Sequence, residues 1–519
     1  MRLARPQRRQ PVSGRCGAVV TADCFAQARK TFNCLIGQLT GPSAGSLTHD
    51  HLEELLVEQG RELQRQLLQA HLDLRAQRER QAVSHARAQG AGVVGADGVV
   101  RRRVESGHHR LLATVFGTVR VTRCAWRAPS VGNLYPADAA LSLPGRRHSA
   151  GLARLAVAEA VRGSFDTAHA AITARCGTVI GKRQIEEVIV ACAQDIDAFY
   201  AEQTPVPRTG EELLVLSFDG KGIAMRPDAL RPATRKAAAL AKRTFRTRLA
   251  GGEKPARKRM ATLGVVYDAE PAPRRPHDVI AVPGGRHGTR PPRPGPSAMR
   301  KWLCGSVIDD PDTVIGKVFD HAQARDPARA RPWVVLVDGA RHQLDLIKAQ
   351  AARRGITLHI VIDFIHVLEK LWAAAWNLHA PTDPAAEDRV ATWALALLAG
   401  QVHQVITDLE HHADTLSAHR RHGIDTAIGY LTNNAGHLRY DHALAHGWPI
   451  ATGVIEGACR HLIADRFNLA GARWGLAGAE AMLKLRALNT NHDLDRYWAY
   501  HLRREHERTH DQHEYALTA

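Results

Sequence analysis

Three acidic residues occupy positions suited to metal chemistry. Asp219 ends the apolar run Leu213-Leu214-Val215-Leu216-Ser217-Phe218 and is followed by Gly220-Lys221-Gly222. Asp338 ends a second such run, Trp333-Val334-Val335-Leu336-Val337, and is followed by Gly339. Glu456 lies in a stretch, about 452–467, whose apolar residues Ile455, Ala458, Leu462 and Ile463 recur at helical spacing. A buried strand that delivers a carboxylate at its tip, faced by a Glu on a helix, is a rigid source of oxygen ligands. Magnesium keeps several of its waters, so two or three carboxylates suffice to hold it. Two such ions roughly 3.5–4 Å apart align a nucleophile on phosphorus and relieve charge on the leaving oxygen, as cleavage of a DNA phosphodiester requires. Each acid alone also reads as structure: Asp-Gly is a common turn, and Glu456 is spaced to pair with Arg460 at i, i+4.

The elements that must position these acids follow a recognisable order. Strands are predicted at 213–218, 260–267 and 301–307, with Gly220-Lys221-Gly222 ending the first. A helix over 312–325 buries Val314, Ile315, Val318, Phe319 and Ala322. A fourth strand, 333–337, a helix through Arg354 closed by Gly355, and a fifth strand, 356–362, running to Asp363 complete the set. This is the element order of an RNase H-like domain, in which the first and fourth strands are neighbours, bringing Asp219 beside Asp338. The fold class is therefore α/β: an RNase H-like catalytic domain with an α-helical insertion, preceded by a mainly helical DNA-binding N-terminal region.

Before the core, residues 1–98 read as a helical region with a leucine stripe (Leu52, Leu55, Leu56, Leu63, Leu67, Leu74) and a partial heptad that fits self-association or, equally, one amphipathic helix packed on its own domain. Residues 99–205 hold two strands around Gly117, then helices broken at Cys176-Gly177 and resuming at Lys182-Arg183-Gln184, the outline of a helix-turn-helix. An ordinary helical hairpin fits those residues equally. Thr204–Gly210, with two prolines, is the expected boundary. Residues 211–363 form the first part of the core, 364–447 a His- and Trp-containing helical insertion, and 448–519 the Glu456 helix and a helical tail.

A formal charge of +18 over 519 residues favours a polyanionic partner. Twelve basic residues between the first two strands, Arg226, Arg231, Arg235, Lys236, Lys242, Arg243, Arg246, Arg248, Lys254, Arg257, Lys258 and Arg259, are opposed only by Asp228 and Glu253. With Lys221 they are candidate phosphate contacts. No apolar run is long enough to span a bilayer, no signal peptide is recognisable, and the eight scattered cysteines form no CxxC pair. A cytoplasmic protein with no membrane partner is expected. His411, His412, His419 and His422 lack a supporting Cys or carboxylate for zinc, and Gly284-Gly285 does not make a phosphate-binding loop.

The chain resembles bacterial insertion-sequence transposases of the ISKra type, related to the Mutator-like DDE group. The matching residues are Phe218-Asp219-Gly220-Lys221-Gly222 with Met225-Arg226-Pro227, Val337-Asp338-Gly339 with Arg341-His342-Gln343, and Asp363 with His366 and Glu369. They continue with Trp448, Gly453, Glu456-Gly457, Cys459-Arg460-His461 and Gly471 to Gly475. The resemblance implies Asp219, Asp338 and Glu456 as a triad binding Mg2+, with Mn2+ able to substitute, and supporting roles for Asp363 and His366. Arg341, His342, Arg460, Arg473 and Trp474 join the DNA-contact set; Trp448 and Trp474 bracket the Glu456 helix, where core packing is favoured over stacking on an unpaired base. The implied activity is cleavage at transposon ends and strand transfer into target DNA, by a homodimer or higher oligomer in a bacterial, nucleoid-associated setting. The alternatives are an RNase H-like nuclease or resolvase without strand transfer, and a sequence-specific DNA-binding regulator built from residues 100–200.

Overall fold

The computed structural model describes residues 23–207, 212–240, 258–281, 291–469, 471–510 and 516–518. Of the basic segment, Lys242, Arg243, Arg246, Arg248, Lys254 and Arg257 lie outside the described residues, as do Cys16 and Gly284-Gly285. The protein is mixed α/β and divides by packing into two units, one from 1–149, 175–179 and 506–519, the other from 150–174 and 180–505. Among the described residues no helix is long and apolar enough to cross a membrane.

The first unit is a helix pair and a β-hairpin. Helices α1 (Ala26–Thr40) and α2 (His49–Ala88) precede the short strands β1 (Gly92–Val94) and β2 (Val100–Arg101) and the long hairpin β3 (Arg103–Thr114) and β4 (Gly117–Arg127). Residues Ala516–Thr518 pair with β1, and α3 (Pro136–Ala140) follows the hairpin. The leucine stripe is not one buried face: Leu56 and Leu67 are exposed, while Ala70, Leu72 and Ala76 are buried. The reason is α2's length. Its later half carries the hairpin, with Leu72 packed on Leu112, Val119 and Val121 and Gln69 bonded to both main-chain groups of Arg120; its earlier half packs on α1 and reaches the Arg175 carbonyl through Arg61.

The second unit opens with α4 (Ala150–Arg162), α5 (Phe165–Cys176), α6 (Lys182–Cys192) and α7 (Ile196–Glu202). It continues through β5 (Leu213–Ala224), α8 (Pro232–Leu240), β6 (Lys258–Ala269), α9 (Pro276–Val279), β7 (Ala298–Ser306), α10 (Pro311–Arg325), β8 (Trp333–Val337), α11 (Arg341–Arg354) and β9 (His359–Ile362). The insertion comprises α12 (Phe364–Leu378), α13 (Pro384–Leu398), α14 (Val402–Asp414), α15 (His422–Asn434) and α16 (Tyr440–Ala445). Then come α17 (Gly453–Ala458), a π-helical stretch Cys459–Ala464, α18 (Asp465–Phe467) and α19 (Leu476–Thr490).

Packing does not break at 204–210. Helices α4 and α6 lie against α19, Arg466 donates to the Ala160 carbonyl at 3.1 Å, and Tyr497 donates to the Cys192 carbonyl. The apolar face of α6, with Ile185, Val188 and Ile189, is buried in this packing.

The five-stranded sheet has the order β7-β6-β5-β8-β9, with β6 antiparallel to β5 and β7, and β8 and β9 parallel to β5. The first and fourth strands are thus neighbours. The apolar runs of β5 and β8 are buried on both faces, as their near-continuous hydrophobicity demands. On one face Phe319 of α10 stacks on Phe218, and a Cβ at Gly264 would meet Val318 at 2.5 Å, so only glycine admits the helix this close. Residues alternate between faces, and α19 covers the other, with Leu483 beside Gly305. At the β7 margin the Asn491 carboxamide bonds both the N–H and the C=O of Leu303, at 2.8 and 2.9 Å.

β6 and β7 extend two or three residues beyond the expected bounds and β9 starts only at His359, but β5 departs most from expectation. β5 does not stop at Phe218 but runs to Ala224, paired with β6 without a register shift from Leu213↔Ala269 to Ala224↔Lys258. The Gly-Lys-Gly tripeptide weakens a strand but does not break it when an equally long partner supplies the hydrogen bonds. Asp219 therefore sits within β5, at the level where pairing to β8 runs out.

Candidate metal centre

The strand register arranges the acids. β5 pairs with β8 as far as Ser217↔Leu336; counting two residues on brings Asp219 level with Asp338. β8 pairs with β9 as far as Val337↔Ile362, so one further step brings Asp338 level with Asp363. Neighbouring parallel strands lie about 4.8 Å apart and residues in register share a face. The three aspartates thus form a row across the C-terminal ends of the parallel strands, where α/β sheets commonly bind ligands.

The helix from Gly453 to Phe467 lies against β5 on that face. Its apolar side is as expected: Ile455, Ala458, Leu462 and Ile463 are buried. Glu456 and Arg460 are both exposed, and no ion pair joins them. Instead Thr452 Oγ1 lies 3.0 Å from Glu456 Oε1 and 2.8 Å from Asp363 Oδ2. Cys459, buried where the π turn begins, donates its thiol to Asp219 Oδ2 at 3.0 Å. Burial, then the Asp219 and Glu456 carboxylates, pushes the Cys459 thiol well above its ordinary range, so it stays protonated and remains a donor.

Each aspartate is also held locally. Gly220 N–H donates to Asp219 Oδ1 at 2.6 Å and Ala340 N–H to Asp338 Oδ1 at 3.0 Å. Asp363 is almost fully buried and caps α12 through Ile365 N–H, while its oxygens also accept from Thr452 N–H and Oγ1. It fastens the end of β9 to the start of the Glu456 helix. His366, three residues on, sits 3.3 Å from Glu369 and beside the Tyr430 ring. Tyr430, from α15, donates to the Asp338 main-chain oxygen at 2.7 Å. Its hydroxyl is pushed up by burial and then by the charges of Asp338, Asp363 and Glu369.

Among the described residues, no group of three His, Cys, Asp or Glu side chains stands in a geometry that could hold a metal ion. The donor set nevertheless suits a hard divalent cation. It is all carboxylate oxygen, Asp338 and Glu456 are exposed, and a second oxygen on each accepts no hydrogen bond among the described residues. Thr452, Cys459 and Tyr430 have no role that spacing alone would assign. Thr452 and Cys459 flank Glu456 within one stretch, but Tyr430 is a lone tyrosine in the insertion and carries no sequence signal.

The basic candidates divide by environment. Lys221, Arg235, Lys236, Lys258, Arg341, His342, Arg460 and Arg473 are exposed. Arg226 lies 3.7 Å from Glu186. The Arg259 guanidinium is turned inward, bonded to the carbonyls of Val307 and Ala229. Trp474 is a core residue, 5% exposed and packed between Phe165, Phe467 and the Arg466 guanidinium, so it offers no face for base stacking. Trp448 is likewise buried, among His359, His442 and His446. In the helix-turn-helix-like region Lys182 pairs with Asp166 at 2.6 Å, Arg183 reaches Glu187, and Gln184 caps its own helix through Gly181 N–H. No protein-family model matches the chain, and no curated protein is significantly similar to it.

Proposed function

We propose that the second unit is an RNase H-like catalytic domain of a DDE transposase, cleaving DNA at transposon ends and joining the freed 3′-hydroxyl to target DNA. The observation that carries this reading is the register that brings Asp219 level with Asp338, with the Glu456 helix laid against β5 beside them. The strand order, third-second-first-fourth-fifth, supports the fold, and the motifs resembling ISKra-type transposases fall on the elements that carry the acids.

Mg2+, or Mn2+ in its place, would be held by Asp219, Asp338 and Glu456, and when bound supplies activation of the attacking oxygen and charge relief at the leaving one. The chain's own part is orientation. Tyr430 holds the turn after β8, Cys459 orients the Asp219 carboxylate, and Thr452 restrains Glu456. Lys221, Arg341 and Arg460, exposed around the acid row, bind the phosphates on either side of the scissile bond. Asp363 ties the two elements together. Because a transposase must hold two ends at once, a dimer or larger assembly on DNA is part of the proposal; the exposed Phe32, Ile36, Leu56 and Val57 of the first unit support it.

The test is an end-containing duplex, target DNA and Mg2+ or Mn2+, with wild type compared against Asp219→Ala, Asp338→Ala and Glu456→Ala. A joined product that each alanine variant fails to make supports the reading. Cleavage without any joined product would leave a nuclease, and full activity in any variant would remove that residue from the triad.

A further inference from the structure

The helix that bears Glu456 reaches two other carboxylates as well. One turn before Glu456, the Thr452 hydroxyl lies between Asp363 and Glu456; three residues after it, the Cys459 thiol meets Asp219. We infer that Thr452 and Cys459 are positioning residues that set the carboxylates of Glu456 and Asp219 for a shared cation, with Asp363 as the fixed anchor. The inference rests on the metal-dependent reading above.

Asp363 is 2% exposed, and its oxygens already accept from Ile365 N–H, Thr452 N–H and Thr452 Oγ1. An acid so fully engaged is a fixture. Thr452 is also buried, at 5%, so its hydroxyl is fixed relative to the end of β9. A hydroxyl has one proton and two lone pairs. That proton lies between two acceptors, Asp363 Oδ2 at 2.8 Å and Glu456 Oε1 at 3.0 Å, and donated to both in a three-centre bond it ties Glu456 to the end of β9. Glu456 is exposed and would otherwise sample many rotamers.

Cys459 acts at the other end. A thiol is a weak donor, so it orients Asp219 Oδ2 without competing strongly for a cation's ligand. Its own position is set by burial on the apolar side of the helix, next to Ala458 and Leu462. The π stretch begins at this residue, and such wide turns are frequent at functional sites. Glu456 and Cys459 are three residues apart, close enough to address one centre from one helix. The helix is thereby a latch that registers Glu456 against two strand ends at once.

The experiment uses the full chain and reads Mn2+ binding by electron paramagnetic resonance without DNA, beside end cleavage and thermal unfolding. Thr452→Val removes the hydroxyl at constant shape and Thr452→Ser restores it; Cys459→Ala removes the donor and Cys459→Ser restores one. The latch predicts Mn2+ affinity weakened about 10–100-fold in Thr452→Val and Cys459→Ala, with both serine variants close to wild type and all four folded. Should Cys459→Ala fail to fold, Cys459→Val, which leaves no cavity and adds about one methyl group in volume, takes its place. Folded Thr452→Val and Cys459→Ala proteins that bind Mn2+ as wild type does would overturn the inference alone. Wild-type protein that binds no Mn2+ would overturn the metal reading and the latch together.

Discussion

Tyr430 donates its hydroxyl to the main-chain oxygen of Asp338 at 2.7 Å, so a helix of the insertion holds the turn that carries a strand-end carboxylate. The same turn contains Gly339, whose φ of +85° lies in the region that favours glycine. A Cβ there would stand 3.0 Å from the Tyr430 hydroxyl and 3.2 Å from Asn434 Oδ1. Gly339→Ala is therefore expected to cost about 1–2 kcal/mol in backbone strain alone and to displace Asp338. Urea unfolding read beside end cleavage measures both; a variant as stable and active as wild type would show that the turn relaxes freely.

Asp219→Asn, Asp338→Asn and Glu456→Gln keep shape and remove charge. Each is expected to fold normally and to lose more than the about 10–100-fold in activity that outer-shell changes produce. Melting curves and single-turnover cleavage on an end-containing duplex check the pair of outcomes.

Binding to DNA should fall steeply with salt. Replacing Lys221, Arg341 or Arg460 by Ala is expected to reduce the slope of log K against log salt by about 1 each. Arg259→Ala should leave the slope unchanged and lower stability instead, because its guanidinium serves two carbonyls of the protein. Fluorescence anisotropy over a salt series separates the two behaviours.

His321 stacks on Trp302 with ring centroids 4.0 Å apart. Burial, then the Arg325 charge, pushes its pKa down to about 3. In the unfolded chain it protonates below about 6.5, so between those limits the unfolded state binds the extra proton. Stability must then fall as pH drops from 6.5 towards 3, by up to about 1.4 kcal/mol per pH unit from this group. In His321→Phe that part of the pH dependence should vanish, as denaturant titrations at pH 7, 5.5 and 4.5 would reveal.

Asp268 lies buried at the far end of the sheet, taking hydrogen bonds from Arg300 at 2.7 Å and Arg331 at 2.8 Å, with Arg325 at 3.6 Å. Burial alone would raise its pKa, but these arginines outweigh that and hold it below the ordinary carboxylate range. Its contribution is present above the unfolded value near 3.9 and is lost as pH falls through the lower, folded one. Asp268→Asn removes the carboxylate that these arginines share, leaving Glu212 to pair with Arg300 and Arg331, and should cost about 3 kcal/mol. A drop in the urea midpoint without loss of metal binding would mark the effect as one on the fold.

Much of the arrangement was legible in the residues. The apolar runs of β5 and β8 ended in acids, the Gly355 stop closed α11 with φ of +61°, and the α10 face buried the predicted residues. Local pattern is enough where a segment's own periodicity decides its fate. The continuation of β5 through Gly220 and Gly222 was not legible, because it depends on a partner strand supplied by β6. Nor was the π stretch, since nothing in Cys459–Ala464 distinguishes its composition from an ordinary helix. The burial of Trp474 and the inward turn of Arg259 belong to tertiary packing. The hydrogen bonds of Tyr430, Thr452 and Cys459 join residues far apart in sequence or assign them partners that spacing does not reveal.

The Asn491 carboxamide on Leu303 has a consequence for solubility. An outermost strand presents amides and carbonyls that a strand from another molecule can zip onto, the first step of fibril growth. At Leu303 one side chain already occupies both rungs, offering an amide where an invading backbone would offer its own. At high protein concentration this strand is thereby kept from becoming a template.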